Sequence, residues 1–446
     1  MFRELKSFSL FLFCLAFLFR PLVAEESATV EAEKEPLLLT MDAMFTHLKA
    51  QNLRVLFEKE SVRRALENSF QQRAALLPQL SIRAQQTRTQ FGSNLSGGGF
   101  NGPAFNSFTS RVVGTQTIFD ATKYSNYRLA KLGEAVANND YEVAVQDVLA
   151  QAVQLYFTQL RDLRRVEIVR GNIQRDNELL DLARDQFNAG AAVRIDVTRA
   201  EVRIATEQRS LMEAQAVVKD SILQLKALLD IDLDRELLLD RSIIEAINAP
   251  PSLKKYASME NLTETRPELK SQQLQLDQAR VARKAAGWQR LPNVELFGEW
   301  GYDTDEALDG NEQEGWIVGL RATIPLYEGG RIAAERREAA AAQRQREYAM
   351  RDLVNRINRE FRFAMIDMDS RYAQIEIARD EIRLGRDEVD QAAERYREGL
   401  ADNRELIDAQ QRLSDAESSH LRAVYLYGLS RLAFARAIGS VEKVVE

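Results

Sequence analysis

The sequence predicts a mostly α-helical protein of long antiparallel, coiled-coil-like helices in two copies, each copy carrying a pair of β-strands. Three observations predict it. Landmarks recur about 208 to 209 residues apart: Ile118-Phe119-Asp120 against Leu326-Tyr327-Glu328, Phe187-Asn188-Ala189-Gly190 against Tyr396-Arg397-Glu398-Gly399, and Asp196 to Glu201 against Glu405 to Gln410. No proline occurs from Ala104 to Ala249 or after Pro325, so both intervals tolerate very long helices. Short alternating runs precede each long arm, plain in the second copy and fainter in the first. A repeat of this length implies a pseudo-symmetric architecture.

At 446 residues, 45% hydrophobic and 28% charged, the chain has the composition of a folded protein. A formal net charge of -7 leaves no basic surplus to neutralise phosphates, which argues against a nucleic-acid partner. Residues 1–24 have the form of a secretory signal: Arg3 and Lys6, an apolar run from Phe8 to Phe19, and a cleavage site at Leu22-Val23-Ala24. That run is too short to span a bilayer, which needs about 20 apolar residues. The single cysteine, Cys14, lies inside it, so the mature chain has no disulfide or thiol chemistry. No later stretch is apolar enough for a transmembrane helix. An exported chain of this kind is either soluble outside the cytoplasm or crosses an outer membrane as strands.

Residues 25–36 are polar and are expected to form a flexible mature N-terminus. The first repeat, 37–230, reads helix, strand, loop, strand, long helix, tip, helix. Its strands run from Pro78 to Phe91 and from Phe108 to Phe119, around a Gly/Asn/Ser loop from Gly92 to Ser107. A helical arm from Ala121 to Phe187 would be about 100 Å long. Its apolar stripe is Val145, Leu149, Ala152, Tyr156, Leu160 and Leu163. Gly190 suits the left-handed position that closes a helix, and the pattern resumes to Leu229 with Asp196 as a capping candidate. Residues 231–266, with Pro250-Pro251, join the halves.

The second repeat, 267–439, follows the same plan. Val294, Leu296, Trp300 and Tyr302 share one face of a strand, with Glu295 and Glu299 on the other. After an acidic, Gly-rich loop from Asp303 to Gly315, Trp316, Val318, Leu320, Ala322 and Ile324 alternate against Gly319, Arg321 and Thr323. The second arm carries the stripe Ile357, Phe361, Ala364, Met368, Tyr372 and Ile375, stops at Gly399 and returns to Ile438, with Asp402 or Asn403 as its cap. Residues 440–446 are a C-terminal tail.

Four strands cannot close a membrane barrel, which begins at about eight, and an open edge in lipid leaves backbone groups unpaired. If these strands cross lipid, the chain must oligomerise, with Trp300, Tyr302 and Trp316 as an interfacial girdle. The alternative is a soluble two-hairpin sheet capping a coiled coil, as in an exported scaffold or adhesin.

The duplicated order of elements, Leu77-Pro78 and Leu291-Pro292 before the strands, Ile324-Pro325-Leu326-Tyr327-Glu328-Gly329-Gly330 after them, and the two glycine tips together resemble the TolC family of outer-membrane efflux proteins. The resemblance covers about Leu39 to Gly439. It implies a homotrimer whose chains each give four strands to one outer-membrane β-barrel, continued by a hollow periplasmic α-barrel. It also implies docking at the tips, marked by Gly190 and Gly399, with a periplasmic adaptor (membrane fusion) protein and an inner-membrane pump. Residues 231–266 would belong to a belt around the cylinder. The family's gate residues carry over as Tyr396, Glu405, Asp408 and Asp196. The gate arginine position is held by Ala401, a departure that leaves Arg404 and Arg194 as the available cations. Three copies of Glu405 and Asp408 would form acidic rings, which favour cations.

His47 and His420 have no metal-ligand spacing and are expected to pack or face solvent. Gly97-Gly98-Gly99 lacks the Gly-Lys-Ser/Thr of a phosphate loop. The charge runs Arg161 to Arg165 and Arg336 to Glu338 are expected on solvated helical faces. No nucleophile–base pairing stands out, and the chain is expected to be no enzyme, with no cofactor and no metal.

Overall fold

The computed structural model describes residues 37–90, 103–243, 250, 266–305 and 313–444. The signal segment, residues 25–36, Gly97-Gly98-Gly99 and residues 251–265 of the join lie outside the described residues. In chain order the elements are β1 (Leu37–Leu39), α1 (Met41–Gln51), α2 (Leu53–Ala74), β2 (Gln79–Thr89), β3 (Phe105–Phe119), α3 (Ala121–Asn188) and α4 (Arg194–Leu229). They continue with β4 (Leu237–Leu239), α5 (Pro267–Trp288), β5 (Asn293–Thr304), β6 (Gln313–Thr323), α6 (Arg331–Arg397), α7 (Asn403–Ala437) and a 3-10 turn (Val441–Val444).

The arms α3 and α6 run 68 and 67 residues without interruption. Asp120 starts α3, its Oδ1 accepting from the backbone N–H groups of Thr122 at 2.8 Å and Lys123 at 3.1 Å. Both arms end alike. Gly190 (φ 76°) and Gly399 (φ 71°) sit in the left-handed region. The N–H groups of Ala191 and Leu400 then reach back to the carbonyls of Gln186 and Arg395, each at 2.9 Å, a double turn that satisfies the orphan helix-end carbonyls.

In the half nearer the tips the helices lie in a row in the order α4–α3–α7–α6; nearer the sheet the order is α2–α3–α5–α6. The two expected stripes supply the core. Val145, Leu149, Ala152, Tyr156 and Leu160 are buried, as are Ile357, Phe361, Ala364, Met368 and Ile375. At mid-length β1 pairs in parallel with β4, Leu37 opposite Leu237. The Tyr156 hydroxyl donates to the carbonyl of Asp240 at 2.6 Å, tying α3 to this small sheet. The C-terminal segment, expected as a tail, carries a docked turn: Val441 and Val444 are fully buried, and the Val441 N–H donates to Gln146 Oε1 at 2.9 Å. A second, smaller core of Leu179, Leu180, Ala200, Ala392, Tyr396, Leu406 and Ala409 fills the tips. Between the two cores lies a polar band with Asn172, Asp176, Gln410 and Ser414 buried.

The other sheet is antiparallel in the order β2-β3-β5-β6. β3 begins at Phe105, three residues before the expected Phe108, because Thr87 to Thr89 pair with Phe105 to Ser107. Ladder pairing outweighs the loop preference of Asn106 and Ser107.

Candidate functional site: the helical tips and the sheet face

The tips bring the expected gate residues together, with different roles. Asp402 is the cap of α7, its Oδ1 accepting from the N–H groups of Arg404 at 3.1 Å and Glu405 at 3.3 Å. Asp196 does not cap α4 from the outside; it lies in the first turn and reaches back, Oδ2 accepting from the Val193 N–H at 3.4 Å. Its Oδ1 pairs with Arg199 at 3.1 Å. The cation at Asp196 is therefore Arg199, one turn along the same helix, rather than Arg404 or Arg194.

Tyr396 is 4% exposed and packs in the tip core among Leu179, Ala200, Leu406 and Ala409. Its hydroxyl has no hydrogen-bond partner. Burial, with the Asp196 and Asp402 carboxylates nearby, pushes its pKa above the usual phenol value. Glu405 is exposed and pairs with Arg395 Nε at 3.0 Å. Asp408 lies one turn further on, also exposed. Beyond it Arg412 forks onto Glu388 at 2.6 to 3.1 Å, and its hydrogen bonds hold that carboxyl below the usual range.

Two tip contacts escaped sequence reasoning. Asn403 Nδ2 donates to the carbonyl of Asp196 at 2.9 Å, and Gln186 Nε2 donates to the carbonyl of Arg397 at 3.1 Å. Both cross from one hairpin to the other. Asn403 reads in sequence as a second capping candidate, and that is why its burial was not foreseen.

Higher on the rod, the Arg161 to Arg165 run is not a purely solvated face. Asp162 is buried and paired with Arg161 at 2.6 Å, and Arg161 lies over the Tyr425 ring at 4.6 Å from its centre. Arg161, Arg164 and Tyr425 line a groove of about 530 Å³ between α3 and α7 that His420 also borders. Burial lowers the His420 pKa, helped by Arg379 and Arg164. His47 lies within 2.7 Å of the Leu229 carbonyl. Arg336 to Glu338 are exposed, as expected.

The large sheet separates its residues by parity. Leu80 and Ile82 of β2 align through Gly114 and Val112 of β3 with Gly298 and Trp300 of β5, then with Val318 and Trp316 of β6. Leu80 and Ile82 are each 79% exposed and Trp316 74%, with Val318 and Leu320 also exposed. A continuous apolar surface over four strands therefore faces outward. The opposite face is charged: Arg111 pairs with Asp303 at 2.6 Å and Glu299 at 3.3 Å, and Arg321 with Glu295 at 3.6 Å. Trp300, Tyr302 and Trp316 gather at the end far from the helices, Trp300 and Tyr302 edge to face at 5.5 Å and Trp300 opposite Trp316. Trp300 Nε1 donates to Glu314 Oε1 at 2.8 Å. At the helical end Phe119, Tyr124, Leu326 and Tyr327 are exposed, a second aromatic and apolar cluster that sequence reasoning missed. Among the described residues no helix is long and apolar enough to cross a membrane.

The fold has known counterparts. The family model described as outer membrane efflux protein matches residues 47–230 and 259–440. Outer membrane protein TolC of Escherichia coli is 22% identical over 398 residues, covering 85% of this chain and 78% of that protein. The alkaline protease secretion protein AprF of Pseudomonas aeruginosa is 24% identical over 373 residues, 81% of this chain and 77% of its own. The Campylobacter jejuni CmeC outer membrane channel has the same fold at 18% identity, with a TM-score of 0.77 over 90% of this chain and 85% of that one. Vibrio cholerae VceC, an outer membrane protein, matches with a TM-score of 0.76 at 17% identity, over 90% and 96%. With both repeats matched to one family model, the chain belongs to the outer membrane efflux protein family, whose place is the outer membrane.

Proposed function

We propose that this chain works as a homotrimeric exit duct, three copies giving four strands each to one outer-membrane barrel and continuing it as a hollow periplasmic tube. The observation that carries this is the large sheet: an apolar face for lipid, a charged face for water, and outer strands β2 and β6 each paired on one side only. In lipid such edges need partners, and further copies of the same sheet supply them. The helices argue alike. α4 and α6, at opposite ends of the row, carry exposed apolar residues: Ile195, Val202 and Met212 on one, Phe363, Ile366 and Leu384 on the other. A surface at one end that fits a different surface at the other closes a ring of copies.

The tips are the end that meets a periplasmic adaptor and, through it, an inner-membrane pump, which supplies the energy. One relative is named for protease secretion and another, FusA of Burkholderia cepacia, for fusaric acid resistance. The cargo class is accordingly small molecules or secreted polypeptides. The test is fractionation and gel mobility: the protein is expected in the outer-membrane fraction as a trimer that dissociates only on heating. Recovery as a soluble monomer would instead support the scaffold or adhesin reading.

Glu405 and Asp408 form the selectivity element of the closed entrance, three copies of each converging where the tips meet. Replacing them together (Glu405→Gln with Asp408→Asn) should lower the cation preference of the reconstituted channel several-fold and relieve block by trivalent cations. Unchanged selectivity would remove these carboxylates from the entrance.

A further inference from the structure

The ion pairs at the two tips each stay within one hairpin. Arg184–Glu201 joins α3 to α4, Arg199–Asp196 lies within α4, and Arg395–Glu405 and Arg412–Glu388 join α6 to α7. Among the described residues beyond Leu179, the polar contacts that cross between hairpins are two neutral ones at the tips, from Asn403 and Gln186, and an exposed one further up, Arg203 Nη1 donating to Gln411 Oε1 at 3.3 Å. Asn403 is 0% exposed, whereas the Gln186 bond is exposed. The Asn403 Oδ1 is buried and unpaired, as is the Tyr396 hydroxyl. The Asn403 amide is therefore committed to a single partner, the Asp196 carbonyl. Separating the hairpins would leave it unpaired in an apolar core.

We propose that Asn403 is the latch that holds the two tips of one chain together in the closed state, a positioning residue that acts through the Asp196 carbonyl. This rests on the tips being the closing end of the duct. Because the bond joins an amide to a backbone carbonyl, this latch is insensitive to salt and to pH over the neutral range. A charged lock would weaken as salt rises. Opening then requires a partner that replaces a hydrogen bond, rather than one that competes for a charge.

The experiment uses the full-length trimer in planar bilayers. Asn403→Ala should raise open-state occupancy about tenfold, the usual consequence of losing one buried hydrogen bond. Asn403→Asp is isosteric and carries the test should the alanine variant not assemble. Ionised, its carboxylate faces the Asp196 carbonyl and cannot donate; protonated, it can. Asp196 and Arg199 on α4, Tyr396 on α6 and Asp402 beside it are the charged and titratable groups around that position. Asn403→Asp should therefore leak at neutral pH and close again on acidification, while the wild type stays closed at both. Gln186→Ala should have the smaller effect, since its bond is exposed. Wild-type behaviour of both Asn403 variants in intact trimers would overturn the latch. If Glu405→Gln with Asp408→Asn still alters selectivity in that case, the tips remain the constriction and only the latch has failed. If that pair is also silent, the tip-gate reading has failed with it.

Discussion

Arg203→Ala is expected to destabilise the tip arm by about 3–5 kcal/mol, the cost of stranding a buried partner charge. Arg203 Nε meets Asp176 Oδ1 at 2.7 Å, with Asp176 1% exposed and its Oδ2 unpaired. Burial already raises the Asp176 pKa against the opposing pull of Arg203. Taking the guanidinium away raises it further. A carboxyl whose folded pKa lies above its unfolded one contributes stability below the unfolded pKa and loses it as pH rises through the folded pKa. The deficit of Arg203→Ala should accordingly be largest at neutral pH and shrink on acidification. Pairing it with Asp176→Leu should recover most of the loss, because an apolar replacement of both partners leaves no stranded charge. Urea unfolding of the trimer in detergent, followed by helical circular dichroism, measures all of these. A single-variant loss under about 1 kcal/mol, flat with pH, would mean the pair is solvated in the assembled tube.

The second large effect belongs to the sheet. Leu320 sits mid-strand in β6, exposed on the apolar face opposite Leu296. Leu320→Arg should cost about 2–4 kcal/mol per copy if that face meets the bilayer interior. With three copies in one barrel, the heat-sensitive trimer should largely disappear from the outer-membrane fraction. Arg321→Leu, one residue away on the charged face, is the contrast: it removes the ion pair with Glu295 and the contact with the Phe297 ring, and assembly should persist. Normal assembly of Leu320→Arg would put that face against water and invert the assignment of the two sides.

Long-period features were legible in the chain. The arms end where glycine permits a left-handed residue, and their stripes are buried except at Leu163 and Tyr372, which are half-buried, because a 3.6-residue period sustained over many turns leaves one face available for packing. The alternation from Val294 to Tyr302 and from Trp316 to Ala322 placed β5 and β6 for the same reason, with period two. The candidate site was only half legible. Asp196, Glu405 and Asp408 were expected at the tips from the family resemblance, yet their partners were not. Arg199 lies three residues from Asp196, but the sequence offers Arg194 and Arg404 as equally plain candidates.

The sequence by itself determined the duplicated hairpins, the strand faces and the glycine tips, each set by local backbone preference and by a periodic apolar pattern. Only the tertiary structure decided which polar group meets which across the hairpins and along the rod: Asn403 with Asp196, Arg203 with Asp176, Tyr156 with Asp240. It also decided that Leu37 to Leu39 pair with Leu237 to Leu239. Such pairings join residues far apart along the chain. Their geometry depends on the rotation and axial offset of whole helices, which no run of neighbouring residues specifies.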